Sequence, residues 1–262
     1  MVQVHPGAPR FFIYTILVQQ LYINLLSALA ISVVISAMSK FPSQRIKALL
    51  YTIPIPITIA LIGSKAIAGS LNIIGLMLTV LFLWGCFYLH MQLKQNILLT
   101  DIALSILYVV IGYSLVHLVH IQFGFSVAIY LVVWSLCMYV FRKRSFGYIP
   151  GKISQTNVWL KGLIIFVIAF LLFTTRQYLA AFVVTFPYNG VFAVYENKAG
   201  LFPQAALFTR NSLALLAYFV ANHYAGDHFG GFMRYVFSWM AFGLVLLAVN
   251  NAVKIQVEQR AH

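Results

Sequence analysis

The residue best placed to do chemistry in this chain is an arginine inside an apolar run. Arg210 stands in Phe208-Thr209-Arg210-Asn211-Ser212, within the run 202–221. Arginine at the centre of a membrane helix costs about 2.5–3.5 kcal/mol on insertion scales. The position therefore calls for a carboxylate, backbone carbonyls or an anionic ligand, with Asn211 sharing the site; a structural ion pair is the competing reading. Asp101 lies a few residues inside the run 97–118, behind Asn96 and Thr100. An acid there is functional by default, or else a helix-start acid favoured by the helix dipole. Arg234 is shallower, in the last run.

A second group of residues carries backbone chemistry. Pro54 and Pro187 each sit inside an apolar run, and each removes a backbone donor and frees a carbonyl. Inside a membrane such groups are tolerated only when buried in protein or lining a cavity. Gly190 and Asn189 permit true unwinding after Pro187, next to Thr185 and Tyr188, and Thr52 is the matching polar residue before Pro54. A simple kink is the competing reading, stronger at Pro54 than at Pro187.

Other chemistry is sparse. Of the remaining acids, Glu258 reads as a solvated tail residue, Asp227 as a loop or capping residue and Glu196 as a boundary residue. His117, His120, His223 and His228 cluster at the ends of runs and read as interfacial; only His117 and His120 approach the spacing of a metal pair. Cys86 and Cys137 read as small buried hydrophobes. There is no nucleotide-binding glycine motif and no Ser-His-Asp order, so no enzyme activity, cofactor or metal is expected.

The elements that must position these residues follow from composition. Hydrophobic residues make up 62% of the chain and charged residues 8%, against about 25% charged in a soluble domain. The solvent is therefore lipid, and every backbone polar group needs an internal partner. The apolar runs do not alternate as barrel strands do, so the fold expected is an all-α polytopic membrane protein. Nine runs separate, at 11–38, 46–62, 66–89, 97–118, 122–141, 158–173, 178–195, 202–221 and 229–253. The connection from 117 to 122 is tight enough to make eight the competing count. No cleavable signal is evident, and the first run is expected to be a retained anchor.

Charge gives an orientation. The net charge of +13 is not a nucleic-acid footprint, because the basic residues lie in short clusters between runs. Lys40, Arg45, Lys47, Lys94, Arg142, Lys143, Arg144, Lys152, Lys254 and Arg260 fall on one side, and Arg10, Lys65 and Arg176 on the other. The first side is expected to be cytoplasmic in a cell inner membrane, with the N-terminus outside and the C-terminus inside.

The chain also matches itself. Tyr51-Thr52-Ile53-Pro54 aligns with Val184-Thr185-Phe186-Pro187, and Gly63-Ser64-Lys65-Ala66 with Glu196-Asn197-Lys198-Ala199, an offset of about 133 residues. That offset carries Asp101 onto Arg234, so the two are expected to face each other across a pseudo-symmetry axis. The plan is four runs in 1–120, a linking helix with a basic loop in 121–157, and four runs in 158–262. One linking helix inverts the second set, giving an inverted-topology repeat; chance likeness of apolar segments is the competing reading. Paired, interrupted helices in inverted repeats point to a secondary transporter's binding site.

At Trp159-Leu160-Lys161-Gly162, Thr174-Thr175-Arg176-Gln177-Tyr178 and Thr185-Phe186-Pro187, the second half resembles the GlpM family of small bacterial inner-membrane proteins. The resemblance covers residues 158–249, and Tyr188-Asn189-Gly190 departs from that family's phenylalanine-rich continuation. It implies two such single-repeat units fused through the fifth run, and a link to polysaccharide production. The expected function is transport of a small anionic molecule or lipid-linked precursor, with the site at the repeat interface; a non-transporting subunit of a polysaccharide or lipid assembly is the alternative. Expected partners are the bilayer and a small-molecule or lipid-like substrate, in a homodimer or larger membrane complex, and no nucleic acid.

Overall fold

A computed structural model describes residues 10–38, 40, 49–64, 66–118, 120–142, 157–175, 182–187, 190–191, 194, 200–229 and 231–259. Among them are nine α-helices and no strand: α1 Arg10–Met38, α2 Ile55–Ser64, α3 Ser70–Phe87, α4 Ile97–Leu118, α5 Phe123–Arg142, α6 Val158–Thr174, α7 Phe182–Thr185, α8 Leu201–His228 and α9 Phe232–Gln259. A π-helical turn, Tyr88–Gln92, extends α3. Five segments are long and apolar enough to cross a membrane, Val18–Met38, Ser70–Gln92, Ile97–Leu118, Phe123–Val140 and Phe232–Asn251. The protein is thus an all-helical one whose helices suit a bilayer.

The expected runs map closely onto α1, α3, α4, α5, α6 and α9. The second run differs. Its helical turn at 49–52 stops, Ile53 and Pro54 bend, and helix resumes at Ile55. Pro54 and Pro56 bring no amide donor to the restart, where helix donors lack partners in any case. The Pro54 carbonyl accepts from Thr58 N at 2.8 Å and Thr58 Oγ1 at 2.7 Å. This is a break, stronger than the simple kink that the sequence favours there. Of the seventh run only 182–187, 190–191 and 194 are described.

The pairs α1–α6, α3–α8, α5–α8 and α3–α4 run antiparallel, as their contacts require. Near the end of α1 and the start of α6, Gly162 admits Ser36 Oγ to within 3.1 Å of where a Cβ would stand. At one end of the α3–α8 pair, Trp84 Nε1 donates to Thr209 Oγ1 at 3.3 Å; at the other, Ala68 N donates to Asn222 Oδ1 at 3.0 Å. Helix α5 lies against α8 through a Tyr130–Ser212 hydroxyl pair at 2.6 Å and Trp134 Nε1 donating to the Thr209 carbonyl at 2.8 Å. Helix α4 packs on α3 at Gly75 and Gly85, where Tyr108 and Leu104 fill the space a side chain would take. Lipid offers no hydrophobic drive between helices, so small residues and interhelical hydrogen bonds, at about 0.6 kcal/mol each, hold such a bundle.

The centre is α3 with α8. The apolar window of α3 is 61% buried, against 11% for α5 and 17% for α9, which face outward. Helix α8 is longer than the expected run 202–221, and it is not among the five apolar segments. Its buried Gln204, Thr209, Asn211, Ser212 and Asn222 lower its hydropathy because it is enclosed by protein rather than lipid.

Candidate functional site

The two broken segments meet. Helix α2 packs on α7; α7 lies against α3, and Thr58 of α2 reaches Tyr218 of α8. Between them is a cavity that offers about 60 Å³ to water-sized molecules. The helical turn before the first break and α2 supply Tyr51, Ile53, Pro56 and Ile57; the second break supplies Val184, Thr185, Phe186, Pro187 and Gly190. Helix α3 adds Leu76, Thr79 and Leu83, and α8 adds Gln204, Phe208 and Leu215.

The lining comes in sequence-spaced pairs. Tyr51 and Val184, Ile53 and Phe186, and Ile57 and Gly190 each stand 133 residues apart; Leu76 and Phe208, and Leu83 and Leu215, stand 132 apart. The backbone at the breaks pairs at the same spacing. Thr58 N donates to the Pro54 carbonyl at 2.8 Å, and Val191 N to the Pro187 carbonyl at 3.0 Å.

Polar contacts hold the walls. Thr79 Oγ1 donates to the Thr185 carbonyl at 2.8 Å and to Gly75 O at 3.0 Å. The Tyr108 hydroxyl lies 2.9 Å from Thr185 Oγ1 and 3.3 Å from Gly75 O, tying α4 to the second break. Across the cavity Thr58 Oγ1 lies 2.8 Å from the Tyr218 hydroxyl and accepts from Trp239 Nε1 at 3.2 Å, tying α9 and α8 to α2. The first break is therefore fastened by Trp239 of α9 and the second by Tyr108 of α4.

Of the residues singled out in the sequence, Thr185, Pro187 and Gly190 line the cavity. Pro54 is buried at the break, and Thr52 is fully buried with Oγ1 donating to the Leu49 carbonyl at 2.6 Å. Tyr188 and Asn189 lie outside the described residues.

Arg210 does not line the cavity. It is half-buried and donates from its Nη2 to Asn250 Oδ1 at 2.9 Å and from Nε to Asn211 Oδ1 at 3.4 Å. The reason is helical phase: at about 100° per residue, Arg210 points roughly 140° away from the mean direction of Gln204, Phe208 and Leu215. Nor is it central in depth, since α8 extends to His228 and Asn250 closes the apolar segment Phe232–Asn251 of α9.

Asp101 and Arg234 do not face each other. Asp101 lies near the end of α3, where Gly85 meets Leu104 on α4. Arg234 lies at the opposite end of the bundle, on the turn of α9 whose Ser238 binds Asn222, and its guanidinium sits over the Tyr235 ring at 4.7 Å. The sequence offset relates the two positions, but the fold sets them at opposite ends of the bundle.

Thr79, Gln204, Tyr108 and Tyr218 were not singled out in the sequence. Their only sequence signal is a polar group inside an apolar run, shared by many residues that merely satisfy a backbone carbonyl. His223 was read as interfacial; it is partly buried, its ring stacked on Phe123 at 3.7 Å and its Nδ1 2.8 Å from Ala68 O. Among the described residues no group of three His, Cys, Asp or Glu could hold a metal ion. The side chains of Glu196, Asp227 and Glu258 lie outside the described ones. No protein-family model, curated protein or solved structure matches the chain.

Proposed function

We propose that the chain is a small secondary transporter of the cytoplasmic membrane, built as an inverted repeat of four helices on each side of α5, with its binding site in the cavity between the two proline breaks. The observation that carries this reading is the paired lining, in which residues 132 or 133 apart meet around one cavity. The packing supports it as well. Exchanging α1 with α6, α2 with α7, α3 with α8 and α4 with α9 turns the α3–α4 pair into α8–α9, and α5 on α3 into α5 on α8, while α1–α6, α2–α7 and α3–α8 map onto themselves. Rocking of one half on the other around such a site is the expected route to alternating access.

The substrate class follows from the walls. Isoleucine, leucine, valine, proline and phenylalanine dominate, with the Thr79 and Thr185 hydroxyls and the Gln204 amide as polar groups. A small neutral solute with one or two hydrogen-bonding groups suits this lining better than the anion expected from Arg210. The likeness of the second half to GlpM-type proteins agrees with a duplicated membrane unit. In this reading the N-terminus lies outside and the C-terminus in the cytoplasm.

The test is a thermal-stability screen of the purified protein against small neutral solutes, followed by uptake of the hits into proteoliposomes. Phe208→Trp, which fills the cavity, abolishes uptake while the protein still folds. Absence of any hit and any uptake, with a stoichiometric membrane subunit bound instead, would favour the non-transporting alternative.

A further inference from the structure

Asp101 is 3% exposed, and its Oδ1 has no hydrogen-bond partner among the described residues. One helical turn further along α4, the buried Oγ of Ser105 lacks a partner in the same way. Residues four apart on a helix are neighbours on one face, so two unsatisfied oxygens share a single patch. A charged carboxylate left like this in a low dielectric costs several kcal/mol, whereas a neutral polar group costs far less. Something must take the charge away.

Among the described residues, the surroundings offer no cation to do so. Helix α3 faces Asp101 with Cys86, which lies within its electrostatic reach, and approaches α4 at Gly85. The π-helical extension of α3 carries His90, whose Nδ1 lies 2.7 Å from the Gln95 carbonyl. Helix α7 meets the far end of α4, with Phe182 against Gly112. Lys94 is exposed in the connection before α4. One carboxylate and one hydroxyl also fall well short of the six or more oxygen ligands that hard divalent cations take.

We propose that Asp101 and Ser105 form a buried proton-binding site at the end of the bundle where α3 finishes and α4 begins. The proton arrives from water at exposed Asn96, five residues and about 7.5 Å of helix away. It neutralises the carboxylate and leaves an O–H for which Ser105 Oγ is the neighbouring acceptor. On α3, Cys86 continues the stripe of Leu76, Thr79 and Leu83 that lines the cavity. Loss of the proton therefore favours parting α3 from α4 to admit water, which moves one wall of the cavity. That coupling rests on the transporter reading; the proton site does not.

The test is an infrared pH titration of the full-length protein in lipid bilayers, comparing wild type with Asp101→Asn and Asp101→Ser. The chain has only four acidic residues, so the carboxyl background is small. At about pH 6 solvated carboxylates, with pKa values near 4, are ionised. The wild type is expected to keep a deuterium-sensitive protonated-carboxyl band at that pH that both variants lose. Absence of an Asp101-dependent band there overturns the proposal. So does a band that vanishes when sodium replaces choline at constant pH, since a metal cation would then be the ligand. A protein that takes up no solute still shows the band if the site exists, so the two readings fail separately.

Discussion

Gly75 sits where α3, α4 and the second break converge. A Cβ there would collide with Thr185 Oγ1 and stand 2.9 Å from Thr185 Cβ and 3.1 Å from the Tyr108 hydroxyl. Overpacking of this kind costs about 1–3 kcal/mol. Gly75→Ala is therefore expected to lower the melting temperature and, by displacing Thr185, to change the cavity. Gly243→Ala in α9, where nothing lies within 4 Å, is expected to leave stability unchanged or raise it by up to about 1 kcal/mol through helix propensity. Asn222 gives a second check. It accepts from Ala68 N and donates to Ser238 Oγ at 3.2 Å, so Asn222→Ala orphans a buried donor at the start of α3. A loss of about 1–3 kcal/mol is expected in reversible unfolding; a neutral result would mean that this joint carries no load. At this scale the sequence is only partly readable. Asp101 stands out because acids are scarce in this chain. Arg210 stands out equally, yet its direction depends on helix phase and on where α8 ends, neither of which its local string reveals.

The proline breaks are the elements on which the functional reading turns. Alanine in place of Pro54 or Pro187 restores an amide donor and removes a helix-breaking residue that costs about 3 kcal/mol in a helix interior. Each substitution, made together with Pro56→Ala at the first break, is expected to join the helix across its break, leaving stability equal or higher while uptake falls, as read by melting and proteoliposome assays. Unchanged uptake in both variants would separate the breaks from function. Helix positions were legible because a run of apolar residues has one solution in lipid, and α4 begins and ends where its run does. The centrality of α8 was hidden for a physical reason. A helix enclosed by protein accepts buried amides and hydroxyls, so the most interior helix has the weakest membrane signal. The second run's break was also understated, since two prolines one residue apart do not reveal whether helix bends through them or restarts after them.

At the scale of the whole molecule, the proposed repeat rests on a spacing in the sequence and on a pairing of residues around one cavity. An odd number of crossings predicts opposite sides for the two termini. Reporter fusions at each end should report the N-terminus outside and the C-terminus inside; the same side for both would remove the inversion. The most direct test of the central claim, that the cavity between the breaks is reached from both sides in turn, is the accessibility of a cysteine placed in it. With Cys86 and Cys137 replaced by alanine, Gln204→Cys is treated with a membrane-impermeant thiol reagent in vesicles of each orientation. Labelling from both sides is the predicted result, with a lipid-facing control at Leu107→Cys unlabelled. Labelling from neither side, or from one side only, would contradict it.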